Sequence, residues 1–274
     1  MKTFRSLLIT CVLSWLCVSI YAQRVDTVLV HSAAMNTVIP NLVILPDGYR
    51  EGGTEVYPVL YLLHGYGGNF RSWLQVQPEL PRLASEKRMI VVCPDGKNSW
   101  YWDSPVNPAL RYETYVGSEL VSYMDANYST RKSSGGRAVA GFSMGGHGAL
   151  WLAIRHPEVF GACGAMSGGV DIRPFPENWE MSKSLGAYKE FPERWNRHTV
   201  INLVSQIKPG SPAIIFDCGT EDFFYKVNEE LHRKLLYYNI PHDYISRPGA
   251  HTSAYWKNAL SYQLVFFDGF FRKR

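Results

Sequence analysis

The chain has 274 residues, of which 46% are hydrophobic and 14% aromatic, enough for one large hydrophobic core and more typical of one domain than of two. Its formal net charge of +4 is spread along the sequence, with no basic block apart from residues 272–274. This distribution argues against a nucleic-acid-binding protein and predicts that the basic terminus is a solvated tail.

The first 22 residues have the pattern of a secretory signal peptide. Lys2 and Arg5 precede an apolar run over residues 7–20, and Ala22 ends a suitable cleavage site. The apolar run is shorter than the ~20 residues that a bilayer-spanning helix needs, so we expect no stable membrane insertion. The sequence therefore predicts an exported protein, periplasmic or secreted, whose mature domain spans residues 23–274.

Cleavage at this point decides which cysteines remain. It removes Cys11 and Cys17 and leaves Cys93, Cys163 and Cys218, an odd number that cannot pair completely within one chain. Cys163 begins one predicted strand while Cys218 ends another, which places them too far apart for a disulfide. We therefore expect three buried thiols. No Cys/His cluster in the sequence has the spacing of zinc ligands.

The mature chain opens with two β-rich runs, residues 25–30 and 37–45, which are expected to form an antiparallel edge on a mostly parallel sheet. The apolar run of residues 56–63 is typical of a strand buried on both faces. It ends in HGYGG at 64–68, where small residues let the backbone approach a ligand. The Tyr66 amide is predicted to supply half of an oxyanion hole and His64 to shape the loop; an ordinary glycine-rich loop is the alternative.

A predicted helix at 80–87 and a buried strand at 89–93 lead into an aromatic loop, residues 97–111. Trp100, Tyr101 and Trp102 follow one another in this loop, and three adjacent large rings are not expected to face one core. At least one of them is therefore predicted to line a cleft and contact the substrate, because aromatic faces suit sugar and phenolic rings.

The stretch GFSMG at 141–145 fits the G-x-S-x-G nucleophile elbow, a sharp turn from strand to helix that exposes a serine hydroxyl above the sheet. A helix at 113–128 and a strand at 137–140 are predicted before the elbow, and a helix at 146–155 after it. Glycines flank Ser143 because the strand and the helix are expected to pack too closely for a Cβ atom. Ser143 is therefore the candidate nucleophile and the Met144 amide the second oxyanion donor; a glycine-rich structural turn is the alternative.

The second half of the chain continues the alternation of strands and helices, with one interruption. Strands are predicted at 162–166, 213–217 and 242–246, and helices at 227–238 and 254–270. Residues 171–209, rich in proline and containing Trp179 and Trp195, are expected to form a helical cap beside the active site that is too small to be a separate domain. Trp179 is a further candidate for substrate contact.

The alternation predicts a three-layer α/β fold whose sites lie at the carboxyl ends of parallel strands. A nucleophilic serine needs a base and an acid, and in α/β-hydrolases the chain order is serine, acid, histidine. Asp222 and His251 lie in the loops after the last two predicted strands and are the favoured pair. The rival acids are Asp217, Glu221 and Asp243, and the rival bases are His147, His156, His198, His232 and His242.

The segments LLHGYGG, DSP, GFSMGGHGAL, SGGVDIRPF, DCGTED and RPGAH together resemble the putative-esterase (esterase D-like) family of α/β-hydrolases over nearly the whole mature chain. Its members include feruloyl and acetylxylan esterases of carbohydrate esterase family 1, tributyrin-type esterases, S-formylglutathione hydrolases and mycolyltransferases. The resemblance implies a triad of Ser143, Asp222 and His251 and an oxyanion hole formed by the Tyr66 and Met144 amides. It also implies two-step acyl transfer that requires no metal or organic cofactor.

The predicted function is an exported ester hydrolase that releases feruloyl or acetyl groups from plant polysaccharides such as xylan, because such substrates lie outside the cytoplasm. A broad short-chain esterase and an S-formylglutathione hydrolase-like thioesterase are the alternatives among enzymes, although the glutathione conjugate forms in the cytoplasm. The alternative from another class is a catalytically idle hydrolase fold that serves as an interaction module. It predicts an eroded triad or elbow, whereas the sequence retains both.

Overall fold

An eight-stranded sheet forms the centre of the molecule in the computed structural model, which describes residues 24–208 and 212–273. The predicted signal peptide, residues 1–22, lies outside the described residues, as do Cys11 and Cys17. The strands are β1 (Arg24–Ser32), β2 (Thr37–Leu45), β3 (Val59–Leu63), β4 (Ile90–Pro94), β5 (Arg137–Phe142), β6 (Ala162–Met166), β7 (Ala213–Gly219) and β8 (His242–Arg247).

Strand pairing produces the predicted architecture. The order along the sheet is β1-β2-β4-β3-β5-β6-β7-β8. β1 pairs with β2, and β2 with β4, in antiparallel fashion, and all other neighbours are parallel. A mostly parallel sheet with an antiparallel edge is thereby confirmed, and the loops that follow β3 to β8 leave the sheet at the same edge.

The α-helices lie on both faces of this sheet. They are α1 (Ser72–Val76), α2 (Leu80–Glu86), α3 (Tyr112–Thr114), α4 (Leu120–Asn127), α5 (Met144–Arg155), α6 (Met181–Leu185), α7 (Pro192–Arg197), α8 (Tyr225–Tyr237) and α9 (Ser253–Arg272). One face is covered by α5, α8 and the segment between β6 and β7, and the other by α1, α2 and α9. The expected α/β-hydrolase fold is confirmed.

The central strands form because their sequences are almost entirely apolar, with Arg137 at the start of β5 as the exception. All residues of β3, β4 and β5 are buried, since each strand contributes alternate side chains to two separate hydrophobic cores. Strands covered on both faces cannot show the polar–apolar alternation of a half-exposed strand. The near-continuous apolar runs in the sequence therefore identified the centre of the sheet.

Several local features refine the sequence-based expectations. The predicted helix at 113–128 contains a π-helical turn, Tyr115–Glu119, between α3 and α4. The cap is helical in its described part, with α6, α7 and a 3₁₀ segment at Val200–Gln206. Cys93, Cys163 and Cys218 are free and buried, as predicted. Among the described residues, none of the helices combines the length and the apolar character needed to cross a membrane.

Candidate active site

Ser143 occupies a strained turn between β5 and α5. Its backbone angles are φ 55° and ψ −120°, an uncommon conformation for a residue with a side chain. The flanking glycines allow this turn because a Cβ at Gly141 would lie 2.4 Å from the Gly145 backbone, and a Cβ at Gly145 would lie 2.3 Å from the Leu63 carbonyl oxygen. The structure thus confirms that close packing requires glycine at both positions.

His251 and Asp222 lie beside Ser143 in a continuous chain of hydrogen bonds. The Ser143 hydroxyl donates to His251 Nε2 over 2.9 Å, and His251 Nδ1 donates to Asp222 Oδ2 over 2.8 Å. The other carboxylate oxygen of Asp222 accepts the Phe224 amide at 2.8 Å, and this side chain has no exposed surface. Both Asp222 oxygens are therefore engaged, which fixes the carboxylate and orients the imidazole.

The rival residues do not make these contacts. Asp217 lies on β7 and pairs with Gln263, whereas Glu221 and Asp243 are exposed. Among the rival histidines, His147 is buried beneath the elbow helix, where burial lowers its pKa to about 3. Its Nδ1 donates to the Gly169 carbonyl, so it serves as a neutral structural group.

Backbone contacts hold the acid loop, residues 220–224, against the base loop, residues 248–252. The Thr220 amide donates to the Arg247 carbonyl and the Glu221 amide donates to the Gly249 carbonyl, both at 2.9 Å. A Cβ at Gly219 would lie 2.1 Å from the Gly249 carbonyl oxygen. The two loops are therefore tied together, and the spacing of Asp222 and His251 depends on both.

The two proposed oxyanion donors are the backbone amides of Met144 and Tyr66. Met144 is the first residue of α5, so its amide has no acceptor within the helix and points to the anion-favouring end of the helix. Tyr66 follows Gly65, where an added Cβ would lie only 3.3 Å from Ser143 Cβ. Gly65, the residue before Tyr66, therefore packs against Ser143.

His64 shapes the loop that carries Tyr66, as expected. It is 1% exposed, donates from Nδ1 to the Gly65 carbonyl at 2.7 Å, and accepts the Gly96 amide at Nε2 over 2.8 Å. Burial lowers its pKa, so it stays neutral and links the loops after β3 and β4. His64 is thus a structural residue of the site.

The prediction for the aromatic loop is wrong. Trp100, Tyr101 and Trp102 are 1%, 0% and 1% exposed, so none of them lines an open cleft. Trp100 and Tyr101 have φ values of 57° and 60°, which reverse the chain direction at two successive residues. This left-handed turn lets all three rings face the core, which an extended chain would not permit.

These three rings pack against α5, the helix that follows the nucleophile elbow. The Trp102 indole donates to His147 Nε2 at 2.8 Å, and the Trp100 ring stacks on Trp102 with 5.5 Å between centroids. Tyr101 packs against α5 so closely that a Cβ at Gly148 would lie 2.4 Å from its ring. The aromatic loop therefore positions the serine indirectly, through α5.

Other aromatic side chains lie near His251. Phe223 is 52% exposed, and its ring centroid lies 4.3 Å from that of His251. Trp179 from the cap is half-buried and stacks on Phe223 at 5.8 Å with an interplanar angle of 26°. The Tyr66 hydroxyl donates to Glu180 Oε2 at 3.0 Å and so connects the oxyanion loop to the cap. The sequence analysis included Trp179 but missed Phe223, whose position directly after Asp222 was the available signal.

The family model that matches this chain and the relative described next are both named as esterases. The model of a family described as "Putative esterase" matches residues 32–267. The esterase Rv1288 of Mycobacterium tuberculosis is 32% identical over 240 residues, which cover 76% of this chain and 51% of that protein. The chain thus spans about half the length of this curated relative.

A bifunctional endo-1,4-beta-xylanase/feruloyl esterase of Xylanibacter ruminicola is 37% identical over 139 residues, 46% of this chain and 19% of that protein. Among solved structures, a ferulic acid esterase is similar with a TM-score of 0.79 and 28% identity, covering 92% of this chain and 99% of the other.

Proposed function

The chain belongs to the putative esterase family, and from this premise we propose that it is a serine carboxylic-ester hydrolase. Ser143 is the nucleophile, His251 the general base and Asp222 the acid that orients it. The observation that carries this proposal is the hydrogen-bonded series from Ser143 to His251 to Asp222, with distances of 2.9 and 2.8 Å, at a strained elbow.

The reaction proceeds in two acyl transfers. Ser143 Oγ attacks the ester carbonyl while His251 Nε2 takes its proton, and the Met144 and Tyr66 amides bind the tetrahedral oxyanion. Protonated His251 then donates to the departing alcohol oxygen, while the Asp222 carboxylate stabilises the imidazolium. Water, deprotonated by His251, then attacks the acyl carbon; the bond from this carbon to Ser143 Oγ breaks, Oγ takes the proton back from His251, and the acid leaves. His251 carries every proton that moves in these steps.

We propose an aromatic acyl group, feruloyl in type, on a plant polysaccharide such as xylan as the substrate. The support is the partly exposed pair of Phe223 and Trp179, which offers a flat apolar surface next to His251. Aromatic side chains pack favourably on planar rings. The similarity to proteins named as feruloyl esterases agrees with this choice. Release of acetyl groups is the alternative, and it needs no such surface.

The test compares kcat/KM on methyl ferulate and on 4-nitrophenyl acetate, with Ser143→Ala as the inactive control. Replacing Phe223 with alanine removes a ring contact of about 1 kcal/mol, so we expect kcat/KM to fall roughly fivefold on ferulate and little on acetate. Phe223→Leu keeps the bulk and isolates the contribution of the ring. Hydrolysis of acetate with ferulate inert, or equal losses on both substrates, would contradict the feruloyl assignment. Activity restricted to thioesters would favour the S-formylglutathione hydrolase-like alternative.

We also propose that the protein is exported from the cytoplasm. The charged and apolar pattern of residues 1–22 supports it. Expression of the full chain in a bacterial host, followed by fractionation and amino-terminal sequencing, should give a mature protein outside the cytoplasm that begins at Gln23. An unprocessed cytoplasmic protein would contradict this expectation.

A further inference from the structure

A buried polar cluster lies behind the base loop, on the α9 face of the sheet. Asp217 is the last but two residue of β7 and has no exposed surface. Its Oδ2 accepts from Gln263 Nε2 at 2.8 Å, whereas Oδ1 has no hydrogen-bond donor among the described residues. Arg247, the last residue of β8, directs its guanidinium at this oxygen from 4.0 Å. A buried carboxylate with only one hydrogen bond is costly, so its presence calls for an explanation.

Arg247 connects the two ends of the base loop. Its guanidinium carbon lies 4.7 Å from the ring centroid of Tyr255 and 4.8 Å from that of Tyr262, both on α9. His251 is four residues after Arg247 and four residues before Tyr255. The contact of Arg247 with Tyr255 therefore closes a short loop with His251 at its centre.

The loop packs directly on this contact. Gly249 has φ 143°, and a Cβ at this position would lie 2.3 Å from the Tyr255 ring. The carbonyls of Arg247 and Gly249 also accept the backbone bonds from the acid loop. Movement of Arg247 would thus be transmitted to His251 and to the loop that carries Asp222.

We infer that Asp217 is a positioning residue of this site: its buried carboxylate holds Arg247 between Tyr255 and Tyr262, so that the base loop presents His251 to Ser143. The inference rests on the proposed function in assigning His251 as the base. Gln263 fixes the carboxylate, since its Nε2 also donates to the Ala165 carbonyl at 3.0 Å. Asp217 itself touches neither substrate nor reacting atoms.

Varying the charge on the Asp217 carboxylate tests the inferred role. The side chains that affect the pKa of Asp217 are Arg247 on β8 and Gln263 and Tyr255 on α9. Arginine side chains keep their charge in proteins, and burial raises the pKa of Tyr255, which stays neutral. Burial raises the pKa of Asp217 to about 7, so Asp217 is the member of the cluster that changes its charge near neutral pH.

The experiment compares the full-length wild-type chain with Asp217→Asn on a soluble ester between pH 5.5 and 8.5. The ratio of wild-type to variant kcat should lie near one at pH 5.5, where Asp217 is neutral like asparagine. It should rise to between about 10 and 100 at pH 8.5, because a displacement of about 1 Å in a catalytic group has that effect. KM should change little.

Two further measurements distinguish the inferred role of Asp217 from a general effect on folding and from failure of the proposed function. Asp125→Asn is the matched control: Asp125 binds Arg137 at the amino end of β5, away from the site, and its kcat should stay at the wild-type value. Amide hydrogen exchange should be faster in Asp217→Asn within residues 247–256 and unchanged elsewhere. If the wild type hydrolyses no ester, the proposed function fails and the exchange data alone decide the inference. A kcat ratio that does not change with pH, or exchange that is unaltered or faster throughout the chain, would overturn it.

Discussion

The buried carboxylate of Asp217 has a consequence for stability that runs opposite to its role in activity. Burial raises its pKa from the ordinary value of 3.8 to about 7. The folded protein therefore binds this proton more tightly than the unfolded chain does. The stability that this proton contributes is fully present below about pH 4 and is lost as the pH rises through 7.

The size of the effect follows from the two pKa values. A difference of about 3 at 1.36 kcal/mol for each pH unit gives ~4 kcal/mol as an upper bound on the loss between pH 4 and pH 8. Asp217→Asn has no such proton. The free energy of unfolding of the wild type, relative to this variant, should therefore fall by a few kcal/mol across that range.

Urea unfolding at a series of pH values, followed by circular dichroism, measures this difference. Ser143→Ala is the control, because it removes no ionisable group near Asp217 and should follow the wild type at each pH. If the wild type and Asp217→Asn show parallel stability curves from pH 4 to pH 8, the carboxylate is not desolvated as the structure implies. The reasoning would then be refuted at its first step.

Four other substitutions test the site and the residues that support it. Asp222→Asn and His251→Ala should each lower kcat by about four orders of magnitude with the melting temperature preserved, measured with 4-nitrophenyl acetate; an active Asp222→Asn would reassign the acid. Trp102→Phe leaves the buried Nε2 of His147 without its donor and should cost about 1–3 kcal/mol in urea unfolding, and an unchanged midpoint would speak against that bond. Gly145→Ala places a Cβ 2.3 Å from a carbonyl oxygen of β3 and should destabilise the fold by about 3 kcal/mol, so a variant of wild-type stability would show that the elbow can widen.

The elbow, the sheet and the order of the site residues could be predicted because each leaves a local mark in the sequence. Gly141, Ser143 and Gly145 lie within five residues as a recognisable pattern, because the turn leaves no room for a Cβ at either glycine. The central strands are almost entirely apolar because both of their faces are covered. Asp222 and His251 follow from their position after the last two strands, where loops converge at one edge of a parallel sheet.

The orientation of side chains in the loops could not be predicted in this way. Trp100 and Tyr101 adopt positive φ values, which neither tryptophan nor tyrosine favours. Their rings face the core because the neighbouring Trp102 donates a hydrogen bond to His147 on α5. Phe223 follows a buried carboxylate, yet it is half exposed because the chain turns at Asp222. In the aromatic loop a contact distant in sequence determines which way the rings point, and in the acid loop a turn of the chain does.

Strained backbone is concentrated where the catalytic chemistry is proposed. Among the described residues, ten non-glycine residues have positive φ, and three of them, Asn36, Arg88 and Asn239, lie in ordinary turns. The other seven lie in the loops after β4, β5 and β6 or in the cap: Lys97, Trp100, Tyr101, Ser143, Ser167, Trp179 and Glu180.

Each such conformation costs about 1–3 kcal/mol and persists only where the surrounding structure determines it. The buried charge of Asp217 lies at the same edge and is costly for a different reason. A fold that needed only stability would have replaced most of these features with glycine, asparagine or apolar residues. Their accumulation around Ser143 and His251 therefore indicates that the geometry of this edge is maintained for the reaction, at the expense of stability.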